Sequence, residues 1–559
     1  MDLKAFTRSG RRLASVSATL WLLSSPAWAQ VESRPLEQLD LWSAAGRDTG
    51  LPADLWRGTS GELASAVLAQ IAEKPLSPAM SRLARRMLAA GAAAPEGGGA
   101  DSALAAARAR ALLALGDPDA ALTILDRTPR VEASEALSRV RAEAALTLGQ
   151  EAKACETGAR LQENRDGAWW LKLRALCHAF AGETAAGQVT LDLWRQQGGK
   201  DAAFDRLAGA ILSGSAPGKA AAGDALEYAA SRRLKLDPAP ALASAPPAVL
   251  IAVARDSETP QDARRDAVAR ALRLGLISAE NVRALYTPPS AAGAPAVTDG
   301  AAPSNPAAPD YATLAKDTTA RAEAALSTAA ALTGDAAVRQ AAVLALLRRA
   351  KSPVEFQAMA RLVQPRIAEL VQAGVALEDP VLFAAASAAA GDPATAQAIR
   401  AGIEQNTAPD SGPLELALLD ALITTAARAP SGPVLDRLVE RGALGDAKPK
   451  AKAQAAALLT AATGAPLSPG ARAQLATFDV PAAKATPARL TALAMAADGK
   501  RPGEAALLAL SIAAQQPAGL GVADRAAIVR ALTAAGVTVE AAAIALEGLV
   551  ALQRPEPAK

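Results

Sequence analysis

Residues 103–129 read ALAAARARALLALGDPDAALTILDRTP, two apolar helical stretches parted by Gly116-Asp117-Pro118. Gly116 suits the position just past a helix C-terminus, where positive φ costs glycine little. Asp117 then caps the next helix and Pro118 starts it. Gly149 and Gly182 repeat this turn glycine at successive intervals of 33 residues. Ala109, Ala142, Ala175 and Ala208 keep the same interval, as do Ala121, Ala154, Gly187 and Ala220. A period of this length marks stacked helix–turn–helix units. No unit of that size buries its own apolar face, so neighbours must stack. The expected fold is all-α, an α-solenoid of helix–turn–helix repeats over residues 101–232.

The phased small residues resemble tetratricopeptide repeats. That family sets a small residue in the first helix, a glycine at the turn and an alanine in the second helix. Ala109, Gly116 and Ala121 fill those places, then Ala142, Gly149 and Ala154, then Ala175, Gly182 and Gly187. The fourth unit departs, with Ser215 at the turn position and Gly214 beside it. The resemblance implies a groove lined by the first helices that takes a protein or peptide partner. In that frame Arg110, Arg139, Trp169 and Lys172 are the candidate partner-binding residues. Three cations beside an aromatic ring suit an acidic or C-terminal carboxylate ligand. The competing reading is a solvated basic face with Trp169 packed between helices. Trp170 and Trp194 read as interhelical packing. The whole chain also resembles Ala-rich exported alphaproteobacterial proteins of unassigned function.

Working outward, Gly391-Asp392-Pro393 and Gly334-Asp335 repeat the turn grammar far downstream. Helical stretches at 336–350, 353–374, 413–428, 487–498, 522–535 and 538–552 show no strict period. Residues 311–559 are therefore expected to form a second, less regular helical array. Between the arrays lie a helical extension at 233–286 and the segment 287–310, TPPSAAGAPAVTDGAAPSNPAAPD, which has a linker's composition. Upstream, residues 30–100 read as a lead-in carrying Trp42 and Trp56, followed by the first helices.

Hydrophobic residues make up 51% of the chain and aromatics only 3%. The apolar content is largely alanine, the best helix former, and strand formers are scarce. Net charge is +3, from 59 basic and 56 acidic residues. That balance argues against a nucleic-acid partner. Residues 1–29 read as a signal peptide: a basic start (Lys4, Arg8, Arg11, Arg12), an apolar run from Leu13 to Leu23, and Ala27-Trp28-Ala29 for cleavage before Gln30. The flanks of Arg11-Arg12 match a twin-arginine motif poorly, so Sec-type export to a bacterial periplasm or medium is expected. No later run is apolar enough to span a bilayer, so no integral membrane segment is expected after cleavage.

Cys155 and Cys177 are the two cysteines, on helices expected to be neighbours. A disulfide and a pair of buried thiols are both open readings. His178 is the single histidine, which nearly removes catalytic triads and histidine zinc sites. We expect no catalytic residue, no metal and no cofactor. The expected function is that of an exported non-enzymatic scaffold or adaptor that binds a protein or peptide partner in the cell envelope. The alternatives are a structural envelope protein that self-assembles and a peptidoglycan-related enzyme or accessory factor. Oligomeric state is left open.

Overall fold

Glycine, proline and small capping residues set the element boundaries. A computed structural model describes residues 40–43, 46–286, 311–317, 319–406, 413–444 and 447–553. Leu39–Lys559 form one compact unit. The signal peptide reading and the 287–310 linker reading both lie outside the described residues. Every regular element among the described residues is a helix; the isolated bridges Arg47–Ala90 and Ser60–Glu96 are the extended pairings.

The lead-in delivers α1 (Gly61–Glu73) and α2 (Pro78–Leu88). The repeats follow as α3 (Ser102–Ala114) with α4 (Pro118–Arg127), α5 (Glu135–Thr147) with α6 (Glu151–Arg160), α7 (Ala168–Ala181) with α8 (Thr184–Gln196), and then α9 (Ala202–Ser213). Gly116, Gly149 and Gly182 adopt φ of +76°, +73° and +77°. The next N–H in each case (Asp117, Gln150, Glu183) returns to the carbonyl of Leu112, Ala145 or His178, closing the helix with a Schellman turn. In the fourth unit Gly214, at φ +69°, takes this role one residue early. Ala109, Ala142, Ala175 and Ala208 are all fully buried, as are Ala121 and Ala154. At Gly187 an added Cβ would collide with the Leu212 side chain, so the phased small residues mark where helices approach closely.

The fourth unit then leaves the pattern. After the loop 214–224, α10 (Ala225–Arg233) packs on α5, α7 and α9, which are the first helices of their units. Next come α11 (Pro247–Arg255), which touches α3 and α5, α12 (Gln261–Arg273) and α13 (Ala279–Tyr286). Ala225, Leu226, Tyr228, Ala229 and Ala230 are buried, so the chain itself fills the face that the repeat frame leaves open.

The second array begins with α14 (Tyr311–Lys316), α15 (Ala320–Leu332), α16 (Ala336–Arg348), α17 (Pro353–Gln372), α18 (Pro380–Ala390) and α19 (Pro393–Asn406). It continues through α20 (Pro413–Ala426), α21 (Gly432–Ala443), α22 (Ala447–Ala462), α23 (Pro469–Leu475), α24 (Pro487–Asp498), α25 (Pro502–Ala514), α26 (Val522–Ala534) and α27 (Thr538–Gln553). Proline opens many of these helices behind a capping side chain: Ser352, Asp379, Ser468 and Thr486 each accept a first-turn N–H.

Two groups of polar contacts join the arrays. Glu323 on α15 is fully buried and takes Arg273 of α12 at 2.7 Å, Arg349 at 3.5 Å and the Tyr286 hydroxyl at 3.1 Å. Burial and the facing carboxylate push the Tyr286 phenol well above its ordinary range. The second group joins the first helices to the last. α1 packs on α25, and α2 packs on α25 and α27. Glu547 of α27 accepts from Ser77 Oγ at 2.7 Å and from the Ala79 N–H at 2.6 Å, so it caps the N-terminus of α2. Trp56 in the lead-in lies over Gly503 of α25, where any Cβ would strike the Leu55 carbonyl.

Candidate functional site

Arg110 is on α3, Arg139 on α5, and Trp169 and Lys172 begin α7, so all four stand on the first helices of successive units. The structure links them into one strip. Arg139 lies 5.3 Å from the Trp169 ring centre, within cation–π range. Its Nε donates to Glu143 Oε1 at 3.0 Å. Arg110 is exposed and acts on the same carboxylate from the preceding unit. Lys172 Nζ lies 2.5 Å from Asp201 Oδ2 and 4.7 Å from the Phe204 ring centre. Trp170 and Trp194 are buried packing residues.

Three acids that the sequence reading did not single out face these cations, Glu143, Asp201 and Glu227, and a fourth, Asp224, acts on Glu143 and Glu227. Asp201 and Asp224 cap α9 and α10 by accepting the N–H of Phe204 and Glu227. Their signal was local, an aspartate directly ahead of each helical run. Burial pushes the Glu143 carboxyl above its ordinary range, with Arg139 and Arg110 working against it. Glu227 is raised first by burial, and Asp224 and Asp201 add to that. At Asp201 burial is outweighed by Lys172 and the Phe204 N–H, which hold the carboxyl below its usual range. Arg139 and Lys172, which were expected to grip an acidic ligand, therefore face carboxylates of their own chain, with α10 packed across the same helices.

A second feature lies at the seam of α6 and α7. Cys155 and Cys177 form a disulfide with Cα atoms 5.6 Å apart. They border a cleft of about 460 Å³ whose apolar lining includes Trp170 and Leu173. A Cβ at Gly158 would stand 3.2 Å from Leu173 Cδ2, so glycine keeps this lining clear. Trp170 is fixed by its Nε1 donating to Glu135 at 2.9 Å. Arg165 and Arg174 stand at the rim, and Arg174 Nη2 donates to the Arg165 carbonyl at 2.7 Å. His178 Nδ1 is 2.6 Å from Glu183 Oε2 across the turn of Gly182. The cleft combines an aromatic wall, a small apolar bed and a charged margin. That chemistry suits holding an apolar side chain while its backbone stays wet.

Comparison with known protein families, curated proteins and solved structures finds no match for this chain. Among the described residues no helix is long and apolar enough to cross a membrane.

Proposed function

We propose that this chain is an exported, non-enzymatic helical scaffold that recruits a protein or peptide partner in the cell envelope. The cleft between α6 and α7 carries the reading. Its volume, about 460 Å³, suits one or two apolar side chains of a peptide segment. Trp170 and Leu173, both almost fully buried, form its floor, while Arg165, Arg174 and Glu183 stand around it and offer polar contacts. Aromatic and arginine side chains of this kind dominate binding energy at protein interfaces. The strip through Arg110, Arg139, Trp169 and Lys172 is the weaker docking face, since α10 covers its helices and acids neutralise it. Export rests on the basic start, apolar run and Ala27-Trp28-Ala29 of the sequence.

A photo-cross-linking residue placed at Arg174 or at Arg110 of the mature protein tests this in envelope extract. The expected result is one discrete cross-linked protein from position 174, lost in Arg165→Glu at the exposed rim, and none from position 110. Capture from 110 alone would return the interface to the helix strip. Capture from neither position would remove the recruiting reading.

A further inference from the structure

The helices α2 and α27, with the turn at Arg47–Thr49, enclose a basin of about 500 Å³. Arg47, Arg82, Arg85 and Arg86 reach its wall, against Asp48, Asp117 and Glu540. Most of these charges are accounted for. Arg47 Nη2 lies 3.3 Å from Asp117 Oδ2. Arg86 pairs with Glu540 and donates to the Thr49 carbonyl at 3.0 Å. Asp48 accepts the Gly50 N–H at 2.8 Å. Arg85 spans the carbonyls of Leu115 and Gly275, at 3.0 and 2.6 Å.

Arg82 is different. It is exposed in the basin and has no hydrogen-bond or ion-pair partner among the described residues. Two other guanidinium groups feel its charge. Burial lowers Arg85, Asp117 works against that, and Arg82 lowers it further. On α17, which packs against α27, burial pushes Arg361 down to about 10, with Arg82 adding and Glu547 opposing. Glu547 is already committed to Ser77, Ala79 and Arg525, and the Arg361 guanidinium has no bonded partner of its own among the described residues. Like charges repel, and an anion held among them relieves that repulsion.

We propose that the basin between α2 and α27 binds a small multivalent oxyanion, a phosphate- or polycarboxylate-bearing ligand, with Arg82 as its principal contact. A forked guanidinium with free donors is suited to grip phosphate or carboxylate oxygens two at a time. The ligand would tie the first helices to the last. This site is separate from the peptide cleft and does not depend on it.

The test compares wild type with Arg82→Gln in chloride, in inorganic phosphate and in citrate at matched ionic strength. Arg82 has no bond to lose, and its removal relieves repulsion, so the variant melts at or above wild type in chloride. Phosphate or citrate raises the wild-type midpoint more than the variant's, and the order reverses. Calorimetric titration of the better anion gives saturable binding that Arg82→Gln weakens by about tenfold or more and Arg82→Lys partly restores. The anion with the larger effect identifies the ligand class. Equal shifts in both proteins, or no shift in either, overturn the site. A variant that melts well below wild type in chloride overturns the unpaired role given to Arg82.

Discussion

The Arg108 guanidinium, 1% exposed, donates to the carbonyls of Leu88, Trp42 and Ala90 at 2.7, 2.8 and 2.8 Å. It also stacks on Trp42 at 4.6 Å, so one side chain binds the lead-in to α2 and α3. Burial pushes its pKa down to about 10, with Asp40 opposing. Arg108→Met strands three buried acceptors and should cost about 3–5 kcal/mol in denaturant unfolding. Arg108→Lys should recover little, since a single ammonium cannot span the fork. In the sequence Arg108 is one more helix arginine two residues from Arg110. Arginine is rarely buried, and no spacing rule separates the two. Glu143 gives a pH signature. Its folded pKa is raised above the unfolded value, so its contribution to stability is full in acid and is lost as pH rises through the raised value. Glu143→Gln should therefore melt at or above wild type near neutral pH, with the gap closing below the ordinary carboxylate range. A gap that widens in acid would mean that the Arg139 pair outweighs burial.

Among the elements, helix ends were legible because their determinants are local. Stretches expected at 353–374 and 522–535 appear as α17 and α26, each within two residues at either end. The turn glycines are not equivalent, however. Gly391, at φ +89°, has open space where a Cβ would go. Gly149 faces the Arg232 guanidinium, which pairs with Glu151. Gly391→Ala should cost about 1 kcal/mol of backbone strain, and Gly149→Ala clearly more, because it also displaces that ion pair. Equal thermal shifts would refute the distinction. Pro365 inside α17 shows a compensation that no local pattern reveals. Proline removes the donor that the Arg361 carbonyl would receive, and Arg283 Nη1 supplies one at 2.9 Å. The placement of α10 was also hidden. The lost turn phase at Ser215 marked a break, but which face the next helix covers depends on α5, α7 and α9 together.

Across the whole described unit, the decisive contacts join residues far apart in sequence. Glu323 gathers partners from both sides of the 287–310 segment, and Glu547 reaches α2. Neither leaves a trace in composition or period, so the repeat half was readable while the joining contacts were not. The four strip residues stand on successive first helices, and their neutralising acids come partly from α9 and α10. Glu547→Ala should release the α2 cap, seen as faster amide exchange across residues 77–88 with the repeats unchanged. Uniform protection loss would mean that the whole unit opens together. The Cys155–Cys177 bridge closes a loop with a sequence separation of 22. Its reduction should cost about 3 kcal/mol and loosen α6 from α7 first.

The Ser77–Glu547 contact spans 470 residues. At a ribosomal pace of about 5–20 residues per second, α2 is made roughly 20–100 s before the helix that caps it. During that interval the surface of α1 and α2 that α25 and α27 will cover stands open as a sticky nascent segment. A holding chaperone is the natural guard for such a segment. Any chain cut short before α27 keeps it open, so that uncovered surface also flags an unfinished product to proteases.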